Sequence, residues 1–260
     1  MIFLGKELGA GKYPFIVAEI SCNHTGNVAI AQGLIQAAKD AGADAVKIQV
    51  YTADEMTYGE KIGEHFSKHI SNDFIIKDGL WKGEQLYKLY QRTQTDYNLA
   101  MAMIEHAAKL GIPLFASVFS QHSLSFLEVH KCPAYKIASF EITDTNLIRK
   151  VARTAKPVVI STGAASINDI DQAVACINPD NTILLHCVSA YPTKLEQVNL
   201  WRINELKKLY KIPVGFSDHT RGLIAGPLAC AMGAVMIEKH LAVPYVDTED
   251  RAFSLHPDEF

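Results

Sequence analysis

Two lysines interrupt runs that are otherwise apolar: Lys47 in DAVKIQVY and Lys136 in YKIAS. A buried ammonium group needs an anion beside it, because unpaired charge in a low-dielectric interior is costly. Glu19, in FIVAEIS, is one available partner. A bound phosphate or carboxylate would serve the other lysine, with Ser139, Ser161, Thr162 and Gly163 supplying hydroxyls and backbone N–H groups for an anion cradle. The alternative is a structural ion-pair network in the core. A second pair of interest is His219, in GFSDHTRG, and His240, in GAVMIEKH, with Asp218 and Glu238 close by in sequence. Neutral imidazoles converging from two strands could hold a divalent metal. They could equally hydrogen-bond within the core, since the chain has no H-E-x-x-H or comparable local motif.

Other polar residues fall at the ends of apolar runs: Asn23, His24, Gln49, Ser117, Ser120, Glu141, His186, Ser189, Tyr191 and Ser217. Two apparent motifs fail. GKELGAGKY has the wrong glycine spacing for a phosphate loop, and Tyr13 stands where Ser or Thr is needed. Ser217, Asp218 and His219 are consecutive, which is not the geometry of a catalytic triad.

The elements that must position these groups alternate regularly. Eight β-rich runs begin near Phe15, Asp44, Pro113, Tyr135, Pro157, Thr182, Pro213 and Ala234, each nearly continuous in apolar residues, as strands covered on both faces require. Between them lie stretches of helical period. Ile30, Leu34, Ala37, Ala38 and Ala41 form one stripe that Gly42 ends; Ser166 with Asp169 signals a capping box; Leu110-Gly111-Ile112-Pro113 signals a helix C-terminus running into a strand. Eight such units predict a (β/α)8 TIM barrel rather than an open sheet, in a single domain spanning residues 1–260. One interval is long and carries an insertion at about 52–94 rich in Tyr, Lys and Gly, whose aromatic residues either line a sugar pocket or pack as ordinary helix contacts. No eighth helix follows the last strand before Phe260.

Composition narrows the function classes. The net charge is −3, and no Lys/Arg run is present to track a phosphate backbone, so nucleic acid is not an expected partner. Five scattered cysteines without a C-x-x-C pair read as buried thiols in a reducing compartment. Charged Lys6, Glu7 and Lys12 break the first segment where a signal peptide needs an apolar run, and no apolar stretch is long enough to span a bilayer; a cytoplasmic protein without a membrane partner is the expectation.

In this order along the chain, FIVAEISCNHTG, AGADAVKIQVY, YKIAS, VISTG, LLHCVSAYPT, GFSDHTRG and GAVMIEKH resemble the sialic acid synthase family, whose members condense phosphoenolpyruvate with an amino sugar. DFIIKDGLW, AYKIASFEITD, VSAYPT and RAFSLHPDEF resemble its pseudaminic acid branch more than its N-acetylneuraminate branch. The resemblance implies a transferase in which Lys47, Gln49, Lys136, Ser139 and Ser161 hold phosphoenolpyruvate. It implies that His219 and His240 bind Mn²⁺ or a similar ion, with Glu19 beside the reacting carbons and Glu238 and Asp250 near the metal and sugar. Tyr191 would contact the sugar, and Ser189 stands where the N-acetylneuraminate branch has Asn, a departure that favours a different amino sugar; the pseudaminic branch implies 2,4-diacetamido-2,4,6-trideoxy-L-altrose. Alternative readings are the same condensation on N-acetylmannosamine or a legionaminic acid precursor, and a barrel that binds phosphoenolpyruvate or a partner protein without turnover. Members of the family continue into an eighth helix and a small antifreeze-like domain that lends an arginine to the other subunit's sugar site. Neither is expected here, which leaves a barrel that could form a homodimer of altered geometry.

Overall fold

The computed structural model describes residues 1–57 and 74–260. A short antiparallel pair, β1 (Ile2–Phe3) and β2 (Lys6–Glu7), precedes eight parallel strands. These are β3 (Phe15–Glu19), β4 (Ala45–Val50), β5 (Leu114–Val118), β6 (Tyr135–Ile137), β7 (Val158–Ser161), β8 (Thr182–His186), β9 (Val214–Asp218) and β10 (Met236–His240). They pair in sequence order and close into a barrel, with β10 beside β3. All eight fall on the runs expected from sequence. The (β/α)8 prediction therefore holds in its strands, because continuous apolar runs suit strands with packed side chains inside and helices outside.

The local signals hold as well. The helix Val28–Asp40 starts at Asn27, whose side chain accepts from the N–H groups of Ala29 and Ile30. Ser166 and Asp169 form the expected capping box at the start of Ile167–Val174. Gly111 ends Tyr97–Leu110 at φ 72°, a left-handed conformation that costs glycine little.

The N-terminal pair is absent from the sequence reading. Phe3 is fully buried and meets Phe15 and Phe115 edge-on at centroid distances of 5.0 and 5.7 Å. It plugs the barrel at the end where the strands begin. Lys6 fastens this hairpin to Asp44 at 2.6 Å, and the same carboxylate accepts from Ile16 N–H at 2.8 Å. GKELGAGKY thus belongs to the closed end of the barrel, away from the ends of the strands.

Beyond β10 the described chain forms no α-helix. It makes a short turn, Arg251–Phe253, and returns so that Leu255 bridges Leu241. Within the expected insertion, Ala53–Met56 and Leu86–Thr93 are helical. Residues 58–73 fall outside the described residues, and with them the start of the DFIIKDGLW motif at Asp73. No described helix is long and apolar enough to cross a membrane. The five cysteines are free thiols; Cys22, Cys132 and Cys187 are buried, whereas Cys176 and Cys230 are only partly so, short of the expectation for all five.

Candidate active site

A cavity of about 400 Å³ opens where the strands end. Its lining includes Lys47, Gln49, Lys136, Ser139 and Ser161, together with Tyr191, His219, Glu238, His240 and Asp250. Ten of the twelve residues to which the resemblance gives a role therefore share one cavity. Glu19 and Ser189 are not part of its wall. Glu19 lies beneath it, fully buried, and Ser189 stands behind Gly163, with its buried hydroxyl lacking a hydrogen-bond partner.

Strand register explains the convergence. Glu19 pairs across to Lys47 and on the other side to His240, while Ser117 pairs with both Gln49 and Lys136. Lys47 Nζ forms a salt bridge with Glu19, donates to Ser117 Oγ at 3.2 Å and lies 3.6 Å from Glu238 Oε2. Lys136 Nζ donates to Glu238 Oε1 at 3.3 Å, and Ser217 Oγ donates to the same oxygen at 2.9 Å. Glu19 also accepts from Ser21 N–H at 2.8 Å and from Gln49 Nε2 at 3.4 Å.

This arrangement corrects one step of the sequence argument. Both lysines already have carboxylate partners, because Glu238 reaches across the barrel to Lys136, so charge pairing alone does not require a bound anion. Burial works to discharge Lys47, Lys136 and Glu238. For Lys47 the nearby Glu19 and Glu238 prevail and raise its pKa; for Lys136 burial prevails and lowers it. Burial would lift the Glu238 carboxyl, but Lys136 and Lys47 hold it below the usual range.

Beside this tetrad lies a cradle of small groups. Ser139 Oγ accepts from Gly163 N–H at 3.2 Å and lies 3.2 Å from Cys187 Sγ. A Cβ at Gly163 would come within 2.6 Å of Cys187 Sγ and 2.8 Å of Ser189 Oγ, so no larger residue fits without displacing the loop.

His219 and His240 meet with ring centroids 5.5 Å apart. His219 Nδ1 is 3.0 Å from the Val188 carbonyl, which places the proton on Nδ1 and makes Nε2 an acceptor, 3.4 Å from Ser217 Oγ. Burial pushes its pKa down to about 3, so the ring is neutral at physiological pH. His240 Nδ1 lies 3.3 Å from Asp250 Oδ2. Burial would raise the Asp250 carboxyl, but contact with His240 keeps it low. No group of three or more His, Cys, Asp or Glu side chains among the described residues is arranged to hold a metal. The protein thus offers two imidazoles, a donor set that fits a divalent ion whose other positions go to water or substrate oxygen. Asp218 belongs elsewhere: it accepts from Thr220 and pairs with Lys239 at 3.2 Å, because alternation along β9 and β10 turns both residues away from Ser217, Glu238 and His240. His186 likewise lies outside the cavity wall, 2.7 Å from the Val198 carbonyl.

Aromatic rings close the histidine end. Tyr191 lies 4.5 Å from His219, Phe253 4.8 Å from His240, and Trp81 6.2 Å from Tyr191, all between ring centroids. Trp81, Leu86, Leu89 and Tyr90, all from the insertion, form part of the wall. Glu141 also lines the cavity; burial raises its pKa to about 7, close to the value at which a carboxyl exchanges protons under physiological conditions. Its place at a strand end was visible in the sequence, but its burial was not.

Residues 34–260 match the model of the NeuB family. Pseudaminic acid synthase of Campylobacter jejuni subsp. jejuni serotype O:23/36 (strain 81-176) is 42% identical over 254 residues, covering 96% of this chain and 71% of that protein. Pseudaminic acid synthase of Helicobacter pylori (strain ATCC 700392 / 26695) is 42% identical over 246 residues, covering 93% and 70%. Among solved structures, the N-acetylneuraminic acid synthetase of Leptospira borgpetersenii serovar Hardjo-bovis, in complex with citrate, superposes with a TM-score of 0.85 at 30% identity. That match covers all of this chain and 84% of the other.

Proposed function

The chain belongs to the NeuB family, and from that membership and the geometry of its cavity we propose that it condenses phosphoenolpyruvate with the open-chain form of 2,4-diacetamido-2,4,6-trideoxy-L-altrose, yielding pseudaminic acid and phosphate. The observation that carries this reading is the joining, in one cavity, of a Lys47–Lys136–Ser139–Ser161 anion cradle to the His219–His240 pair. The choice of sugar rests on the relatives that are 42% identical.

Lys47, Lys136, Gln49, Ser139 and Ser161 hold the phosphate and carboxylate of phosphoenolpyruvate, by ion pairing and by hydrogen bonds from hydroxyl and amide donors. The two lysines and the two glutamates are formally neutral together, so the anion's own charge must be met by these donors and by a cation at the histidine pair. A divalent ion held by His219 and His240 would supply Lewis acidity toward the sugar aldehyde. The walls then set the geometry, bringing the nucleophilic carbon of phosphoenolpyruvate against the aldehyde carbon. As that carbon–carbon bond forms, positive charge develops at the phosphate-bearing carbon, where the carboxylates of Glu238 and, beneath it, Glu19 stabilise it. Water adds to this carbon and gives one proton to the former aldehyde oxygen; the tetrahedral centre then collapses to the ketone, and its second hydroxyl proton goes to phosphate as the carbon–oxygen bond to phosphate breaks. Glu141 is poised to hold or release a proton. Tyr191 and Asp250 flank the sugar at the histidine end.

The test is phosphate release from phosphoenolpyruvate, with Mn²⁺ or EDTA, offered the altrose sugar, N-acetylmannosamine and the legionaminic acid precursor in turn. Release that needs Mn²⁺ and occurs only with the altrose sugar is the expected result. Release with a different sugar would overturn the substrate assignment, and metal-independent release would overturn the role of the histidine pair.

A further inference from the structure

The segment after β10 brings Asp250 and Phe253 into the site, and it does so without a helix to anchor it. Asp250 stands against His240; Phe253 packs on His240 and lies 5.4 Å from Tyr191. Arg92 pairs with Glu249 on the segment's exposed side at 2.7 Å, and a side chain from the other end of the sequence holds the segment from within. Asn23, just past β3, is fully buried. Its Nδ2 donates to the Leu241 carbonyl at 2.8 Å and to Ser254 Oγ at 3.0 Å, while its Oδ1 accepts from Thr248 Oγ1 at 2.5 Å. Ser254 Oγ in turn donates to the Asp250 carbonyl at 2.8 Å. Among the described residues, every side-chain hydrogen bond of this asparagine therefore ends on the segment that carries Asp250 and Phe253.

We propose that Asn23 is a positioning residue for the sugar half of the site, acting through Asp250 and Phe253 rather than by touching substrate. The inference rests on the reading above that Asp250 and the aromatic wall face the sugar. An amide is suited to the task, since it offers donors and an acceptor from one rigid plane. The phosphoenolpyruvate cradle lies on β4 to β7 and the loops that follow them, and none of Asn23's hydrogen bonds reaches it.

The experiment compares the intact chain with Asn23→Ala and with the milder double variant Thr248→Val, Ser254→Ala, which removes two partners but spares the buried amide. Steady-state kinetics should show KM for the sugar rising about tenfold, the scale of one or two lost hydrogen bonds, with KM for phosphoenolpyruvate within about twofold of the original. Hydrogen exchange should quicken at the Ala242 and Leu255 amides, which bond to Leu255 O and His240 O, while the amides of β4 to β8 keep their protection. An equal rise in both KM values, or no change in either, would overturn the proposal. So would unchanged exchange at Ala242 and Leu255. If the unaltered protein turns over no sugar, the reaction assigned above fails, and the exchange measurement decides this inference alone.

Discussion

Lys136 keeps an anion 3.3 Å away in a site where almost no water reaches it, and the carboxylate that does this is 102 residues distant in sequence. Glu238→Gln should therefore leave Lys136 facing a neutral amide and weaken the hold on Lys47. Breaking a buried pair by removing one partner costs on the order of 3 to 5 kcal/mol, and a urea titration should show that loss beside a collapse in turnover. Glu141 makes a different prediction, because burial raises its pKa from the ordinary 4.5 to about 7. Between those values the folded state binds more protons than the unfolded one, so this group's contribution to stability falls as pH rises from 4.5 to 7 and is level above. Glu141→Gln removes that loss: relative to the unaltered chain, the variant should gain roughly 2 to 3 kcal/mol between pH 4.5 and pH 8, read by denaturation at the two pH values. Legibility at this scale was uneven. The lysines and histidines stood out as polar breaks in apolar runs, and two-residue alternation could have separated inward Ser217, Glu238 and His240 from outward Asp218 and Lys239. The pairing of Lys136 with Glu238 could not be read, since it depends on how far two side chains reach across a closed barrel.

Among the elements, the loop after β7 shows how closely backbone and site are fitted. A methyl group on residue 163 would also come within 3.0 Å of the Cys187 carbonyl, so Gly163→Ala must push this loop away from Cys187 and Ser189 and disturb the bond from Gly163 N–H to Ser139 Oγ. The expected outcome is a rise in KM for phosphoenolpyruvate together with a stability loss of about 1 to 3 kcal/mol, seen by kinetics and urea denaturation on one preparation. The eight barrel strands were legible because each is long enough, and apolar enough on both faces, to stand out from its surroundings. The β1–β2 hairpin was not. Two-residue strands have no period to detect, and Phe3 gains its meaning only from Phe15 and Phe115. The segment carrying Asp250 had no periodic signal and was marked only by the resemblance of RAFSLHPDEF and Asp250, because side-chain contacts such as those of Asn23 and the Arg92–Glu249 pair hold it rather than a patterned element.

For the molecule as a whole, the barrel has a closed end and a working end, and substitutions should sort by which end they strike. Phe3→Ala removes a fully buried ring from the plug and should cost about 3 to 5 kcal/mol in a denaturant titration. Both substrate KM values should stay unchanged at temperatures where the variant is folded, since the plug and the cavity lie at opposite ends of the strands. The closing seam between β10 and β3 has a further consequence, which concerns the order of synthesis. Glu19 and Lys47 leave the ribosome early, whereas Glu238 and His240 leave some two hundred residues later, and the register that sets His240 beside Glu19 joins the first barrel strand to the last. Until that seam forms, a nascent chain carries a buried-type lysine and glutamate with half of their partners missing and with both sheet edges open. Contacts of such long sequence separation form slowly. The interval between translation of β3 and of β10 is therefore when this polypeptide most needs shielding from its neighbours, and a chain released before His240 emerges has neither a closed wall nor a complete charge tetrad.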